Sequence, residues 1–209
     1  MKRKILFFGL VLIISLGITS CSQQTLSPNE IYYPEKTDKN ASMMVEWNVE
    51  YNNLKDLYNS SDFIVYADVI ENPINIDKGL GFVKTKIRIN EVLKGEISEE
   101  EIYIYEDGQV NDDGTDYSVE GIPLLKKNMK AVLFLFKNPE LESDNPNKDF
   151  AYHVNVPLPG KFLLDNNMKI HHCRELLKDS SNIPATDFEK FSNQTYEEFK
   201  QEIKNIENQ

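Results

Sequence analysis

The side chains best suited to soft-metal binding or nucleophilic chemistry are three histidines and two cysteines. His171 and Cys173 lie two apart, so on a strand they project to one side, and His153 could join them from a neighbouring strand. Imidazole and thiolate are zinc donors, but this spacing follows no zinc motif. The plainer expectation is polar strand residues beside a buried thiol. Six carboxylates fall between Glu106 and Glu120. With Gln109 as position one, Asn111, Asp113, Gly114 and Glu120 take positions three, five, six and twelve of a calcium-binding loop. Gln109 stands where Asp is needed, Asp116 takes the usual apolar eighth position, and the flanks read as strands rather than helices. No metal or cofactor is therefore assigned, with Asn111, Asp113 and Glu120 the residues to follow if a hard cation binds. Enzyme signatures are missing: there is no G-x-S-x-G, no H-E-x-x-H and no phosphate-cradling glycine loop.

Cys21 has clearer chemistry. Met1-Lys2-Arg3-Lys4 is a compact positive block, followed by an apolar run from Ile5 to Leu16 broken by Gly9 and Ser15, and then Gly17-Ile18-Thr19-Ser20-Cys21. Positive, apolar and small-residue segments in that order make a secretory signal. Ile18-Thr19-Ser20-Cys21 is similar to a bacterial lipobox. That resemblance implies that the Cys21 thiol is acylated with a diacylglyceryl group and becomes the new N-terminus. The apolar stretch, about 16 residues, is at or below the roughly 17–25 that a spanning helix needs. Two acyl chains hold a protein to a membrane firmly where one does not. The expectation is a lipid anchor on the extracytoplasmic face of the cell membrane.

Charge narrows the partners. The chain of 209 residues carries 34 acidic and 23 basic residues, a net −11. Loss of the signal would take Lys2, Arg3 and Lys4, leaving 34 acidic against 20 basic residues, or −14. That balance opposes nucleic-acid binding, which asks for clustered Lys and Arg, and it opposes electrostatic attraction to anionic lipid. With Cys21 acylated, Cys173 has no thiol partner, so stability must come from an apolar core.

These features divide the chain into a signal peptide (1–20), a lipid-anchored flexible tether (21–42) and one domain (43–209). A tether of ~20 residues spans roughly 25 Å. Tyr51, Leu54, Leu57 and Tyr58 recur at helical spacing, and Asn59-Ser60-Ser61-Asp62 should end that helix. The period then becomes two. Phe63, Val65, Ala67 and Val69 share one strand face. Val83, Thr85, Ile87 and Ile89 alternate with Lys84, Lys86, Arg88 and Asn90, up to a turn at Leu93-Lys94-Gly95-Glu96. In a third strand Ile102 and Ile104 face inward, leaving Tyr103 and Tyr105 on the outward face unless the C-terminal helix covers them. Residues 107–121 read as an acidic loop. Ala131–Phe136 is a continuous apolar run, hence a strand covered on both faces, and Tyr152–Val156 alternates again. Asp165-Asn166-Asn167-Met168 joins Lys161–Leu164 to Lys169–Cys173 as a hairpin. Thr195-Tyr196-Glu197-Glu198 is a capping box, and Tyr196, Phe199, Ile203 and Ile206 give the following helix an apolar stripe. The expected fold is mainly β: a small antiparallel OB-like barrel with a short N-terminal helix and a packed C-terminal helix.

The run Asp62–Val69, then Lys86–Gly95, Ile102-Tyr103-Ile104, Pro123-Leu124-Leu125, Val132–Phe136 and Gly160-Lys161-Phe162, resembles a pattern of uncharacterised bacterial lipoproteins. The chain's own Asn-, Lys- and Ile-rich composition suggests an AT-rich genome such as that of a low-GC Gram-positive. The barrel of those lipoproteins is similar to the OB-like fold of netrin modules and tissue inhibitors of metalloproteinases. The resemblance covers about 110 residues, from 62 to about 173. Those inhibitors chelate a protease zinc with a free N-terminal cysteine. Here Cys21 would be acylated and lies about 40 residues before the barrel, so that mechanism does not transfer. The expectation is a monomeric, non-enzymatic binding module with an envelope protein or peptide partner. The alternatives are a calcium-dependent module using the 107–120 loop and an envelope hydrolase without a recognised motif.

Overall fold

The computed structural model describes residues 37–43, 51, 53–76, 81–119, 122–155, 160–173 and 187–208. In chain order the elements begin with β1 (Thr37–Met43), α1 (Leu54–Ser60), β2 (Phe63–Val69), β3 (Ile74–Asn75), β4 (Phe82–Lys94) and β5 (Glu101–Val110). They continue with β6 (Asp116–Val119), β7 (Lys130–Asn138), β8 (Ala151–Val154), β9 (Lys161–Leu164), β10 (Ile170–His172) and α2 (Tyr196–Glu207). A 3-10 turn at Asp187–Phe191 precedes α2. Cys21 and the remainder of the expected signal and tether, up to residue 36, lie outside the described residues.

The mainly β architecture expected from the alternating periods is present, as a closed five-stranded barrel compatible with an OB-like one. β2 pairs antiparallel with both β4 and β7, and β4 pairs antiparallel with β5. β8 closes the ring, antiparallel to β7 and parallel to β5. The ladders are unequal. β4 and β5 share seven register pairs from Phe82↔Asp107 to Arg88↔Glu101, whereas β5 and β8 share two, Ile104↔Tyr152 and Tyr105↔His153. Closure pairs most of β5, and two asparagines serve positions where it has a strand neighbour on one side only. The Asn145 side chain accepts from Tyr103 N (2.7 Å) and donates to Tyr103 O (3.0 Å). Asn75 does the same for Val110, both at 2.8 Å. A side-chain amide thus stands in for the missing peptide group.

The period of two sorts β2 and β7 into two cores. Phe63, Val65, Ala67 and Val69 join Ala131, Leu133 and Leu135 inside the barrel, with Ile87, Ile102, Ile104 and Leu163. Ile64, Val132 and Phe134 face outward and meet Phe162, Phe188, Phe191, Tyr196, Phe199 and Ile203. A strand buried on both faces must read as an unbroken apolar run, which explains Ala131–Leu135. Each fully buried side chain of this size contributes roughly 1.5–3 kcal/mol.

The helices are bounded by local chemistry. Asn53 caps α1 by accepting from Asp56 N, and Ser61 ends it in extended backbone. The expected capping box forms: Thr195 Oγ1 accepts from Glu198 N (3.3 Å) and the Glu198 carboxylate accepts from Thr195 N (2.8 Å). Gly95 makes the turn after β4 with φ +79°, and a Cβ there would lie 2.6 Å from the Phe63 ring. Only glycine fits that corner.

Three expectations need correction. Thr37–Met43, which overlaps the end of the expected tether at residue 42, forms a strand parallel to β6. Its polar sequence has no apolar alternation to reveal it, because a strand added at a sheet edge is held by main-chain hydrogen bonds. Residues 107–121 are not one loop: β5 runs to Val110, β6 starts at Asp116, and the turn between them is Asn111–Thr115. Tyr105 is fully buried rather than displayed. The segment after β7 covers it, not α2: Tyr105 Oη lies 2.9 Å from Asp144 N and 3.0 Å from Asp144 Oδ2.

Candidate functional site

Five strand residues near the β5–β8 closure, Glu106, Asp107, Asp116, His153 and Lys161, carry buried or half-buried titratable groups. Along β5, Glu106 shares the inward face of Ile102 and Ile104, and Asp107 shares the outward face of Tyr103 and Tyr105. Two carboxylates in succession therefore enter different surroundings.

Inside, Glu106 meets Lys161 of β9, and both side chains are 1% exposed. Lys161 Nζ donates to Glu106 Oε1 (2.6 Å) and to Pro123 O (2.7 Å), and Glu106 Oε2 accepts from Leu125 N (3.1 Å). Taking two charges out of water is costly, and the pairing with these extra hydrogen bonds offsets it. The contacts tie the Ile122–Leu125 segment to the barrel. Cys173 is buried beside them, its Sγ donating to Lys161 O at 3.4 Å. Burial pushes this thiol up to about 11, so it stays protonated and unreactive near neutral pH.

Outside, His153 of β8 lies against Asp107. The imidazole is 6% exposed and packed between Phe136, at 5.0 Å, and Phe82, at 5.7 Å. Its Nδ1 is 3.1 Å from Val154 O, and its Nε2 is 3.9 Å from Asp107 Oδ2. Burial lowers the His153 value, against the pull of the Asp107 charge, and burial raises that of Asp107. Nearby, Asp116 is buried at the start of β6 with its Oδ2 2.8 Å from Lys126 Nζ. Burial outweighs that partner and holds Asp116 above the usual carboxylate range.

Two of the candidate metal residues, Asn111 and Asp113, make hydrogen bonds within the turn. Asn111 Nδ2 donates to Thr115 Oγ1 at 2.9 Å. Asp113 Oδ1 accepts from Thr115 N (2.9 Å) and Oγ1 (2.7 Å). That is the chemistry of a tight turn. Glu120 lies outside the described residues. His153, His171 and Cys173 are not gathered either: His171 Nε2 is 3.3 Å from Asp165 Oδ2, while Cys173 faces the barrel interior. Among the described residues no three His, Cys, Asp or Glu side chains come together as metal ligands.

Tyr103 does stand on the outer face of β5, half-buried, with Lys84 Nζ 5.4 Å and Lys86 Nζ 5.8 Å from its ring centre. These cations have carboxylate partners: Lys84 with Asp144 at 2.5 Å, and Lys86 and Arg88 with Glu101 at 2.9 and 3.1 Å. The face is polar and largely self-neutralised. Ile74 and Ile76 are the large apolar side chains left exposed among the described residues.

Sequence reasoning passed over Glu106–Lys161 and Asp107–His153. The first had a signal, a lysine opening the apolar strand Lys161–Leu164. The second had none, because strand pairing brings the residues together across 46 positions. The chain matches no protein-family profile, and no curated protein is significantly similar to it. Among the described residues no helix is long and apolar enough to cross a membrane.

Proposed function

We propose that this protein is a lipid-anchored, extracytoplasmic binding module: an OB-like barrel of the netrin and metalloproteinase-inhibitor kind, attached through acylated Cys21. The lipobox-like Ile18-Thr19-Ser20-Cys21 carries the anchoring part of this reading. Support for binding rather than catalysis comes from how the reactive groups are spent. The Cys173 thiol is buried and bonded to a carbonyl, Glu106 is tied to Lys161, and Asp116 to Lys126. The partner class is an envelope protein or peptide, met by the outer barrel surface around Tyr103 rather than by an interior filled with side chains.

Cys21→Ser tests the anchor. The wild-type chain should label with a fatty acid and fractionate with membranes, and the variant should do neither. Identical, unprocessed behaviour of both forms overturns the reading. A photo-crosslinking residue at Tyr103, introduced into the full chain on intact cells, should yield a discrete envelope adduct. Measurable hydrolase activity with no adduct would reverse the choice between binding and catalysis.

A further inference from the structure

We propose that His153 and Asp107 take up one proton as a unit and form a pH-responsive clasp on the seam that closes the barrel. The inference stands apart from the anchor and the binding reading, since it rests on the geometry of the β5–β8 contact alone.

Val154 O can only accept, so the imidazole nitrogen beside it, Nδ1, carries the hydrogen. The neutral ring then presents the Nε2 lone pair to Asp107 Oδ2, 3.9 Å away. Nε2 is buried without a hydrogen-bond partner among the described residues. Two acceptors face each other, and water cannot compensate the buried Nε2 although Asp107 keeps some exposure, which is unfavourable for the ring. One proton from solvent resolves this, whether it sits on Nε2 or on the carboxylate, because each form has a donor facing an acceptor. With no proton the acceptors repel, and with two a buried imidazolium faces a neutral acid. The groups around the ring fit this. Asp107 and Glu106 come from β5, and Glu106 is occupied by Lys161 of β9. Among the described residues, β4 and β7 contribute the Phe82 and Phe136 rings. Tyr105, the register partner of His153, is pushed up to about 12 mainly by burial and keeps its proton throughout. Burial moves Asp107 up and His153 down, toward each other, the condition for one shared proton.

The location makes this consequential. The β5–β8 seam has two register pairs, and the dyad sits across it. Bound proton in place, the 3.9 Å gap should shorten to about 2.7–2.9 Å, drawing the strands together.

Amide hydrogen exchange on the full chain, referenced to the β4–β5 ladder, tests the clasp. Protection of Ala151–Val154 should peak where the pair holds one proton and fall about tenfold toward alkaline pH, the size of one net hydrogen bond. Asp107→Asn, whose amide donates to Nε2 permanently, should keep that protection at alkaline pH. Parallel profiles for wild type and variant overturn the proposal. Should Asp107→Asn fail to fold, nitrogen NMR of wild-type His153 decides alone. A neutral ring protonated at Nε2, or titration at the ordinary histidine value independent of Asp107, overturns it.

Discussion

The two faces of β2, β7 and β9 are both buried, by different means. The outward face holds a cluster of aromatic rings: Phe162 lies tilted or edge-on within 4.6–6.5 Å of Phe134, Phe188, Phe191, Phe199 and His172. The inward face is mainly aliphatic, with Phe63 and Tyr152 meeting edge to face at 5.1 Å, and it also holds the wholly buried ion pair Glu106–Lys161. The outer core draws its stability from the volume of these rings and their tilted and edge-to-face contacts. The inner core has one arrangement in which both charges and the Pro123 and Leu125 main chain are satisfied. Its contribution is to fix how the 122–125 segment enters the barrel.

Substitutions should separate these roles. Phe162→Ala, at the centre of the ring cluster, should cost about 4 kcal/mol in denaturant unfolding. Lys161→Met should cost about 3 kcal/mol, because it strands the Glu106 carboxylate without its partner. The double variant Lys161→Met with Glu106→Leu should recover most of that loss, whereas no second substitution of equal simplicity rescues Phe162→Ala. If Lys161→Met alone is harmless, the two cores do not differ as described. Thr195→Ala should cost about 1 kcal/mol by removing the cap of α2. Lost helix docking should show in circular dichroism without disturbing the barrel.

The smallest effect concerns the rim where α2 meets β4. Burial alone would raise Glu91, but hydrogen bonds from Lys200 and Tyr196 outweigh it and hold the carboxylate below its ordinary range. A carboxylate depressed in the folded state stabilises the fold above the ordinary carboxylate range, and that support is lost as pH falls through the folded value. Unfolding followed from neutral to acid pH should therefore lose an increment in the wild type, and Glu91→Gln should flatten that part of the curve.

Much of this was legible where one period dominates. The switch from helical spacing at Tyr58 to alternation at Phe63, the unbroken run at Ala131 and the box at Thr195 each dictate an element by local physics. Alternation also divided Phe63, Val65, Ala67 and Val69 from their neighbours, though it could not say that both sides of β2 are buried. The site was less legible. Asp107 and His153, or Glu106 and Lys161, become neighbours through register, and register depends on the whole barrel. The acidic stretch misled because carboxylates that suggest a cation loop also suit a tight turn and buried lysine partners. Tyr105 misled because alternation reports the face of a strand and not what a later segment lays over it.

Asn145 has a consequence for how this protein ages. An asparagine loses its amide when the main-chain nitrogen of the next residue attacks the side chain, and the product is largely aspartate or its isomer. At Asn145 that product would set a carboxylate against Tyr103 O and open the clamp on β5. The next residue is Pro146, whose ring nitrogen carries no hydrogen. The usual route of attack is closed, and the amide that substitutes for a strand is shielded from slow chemical decay by its own neighbour.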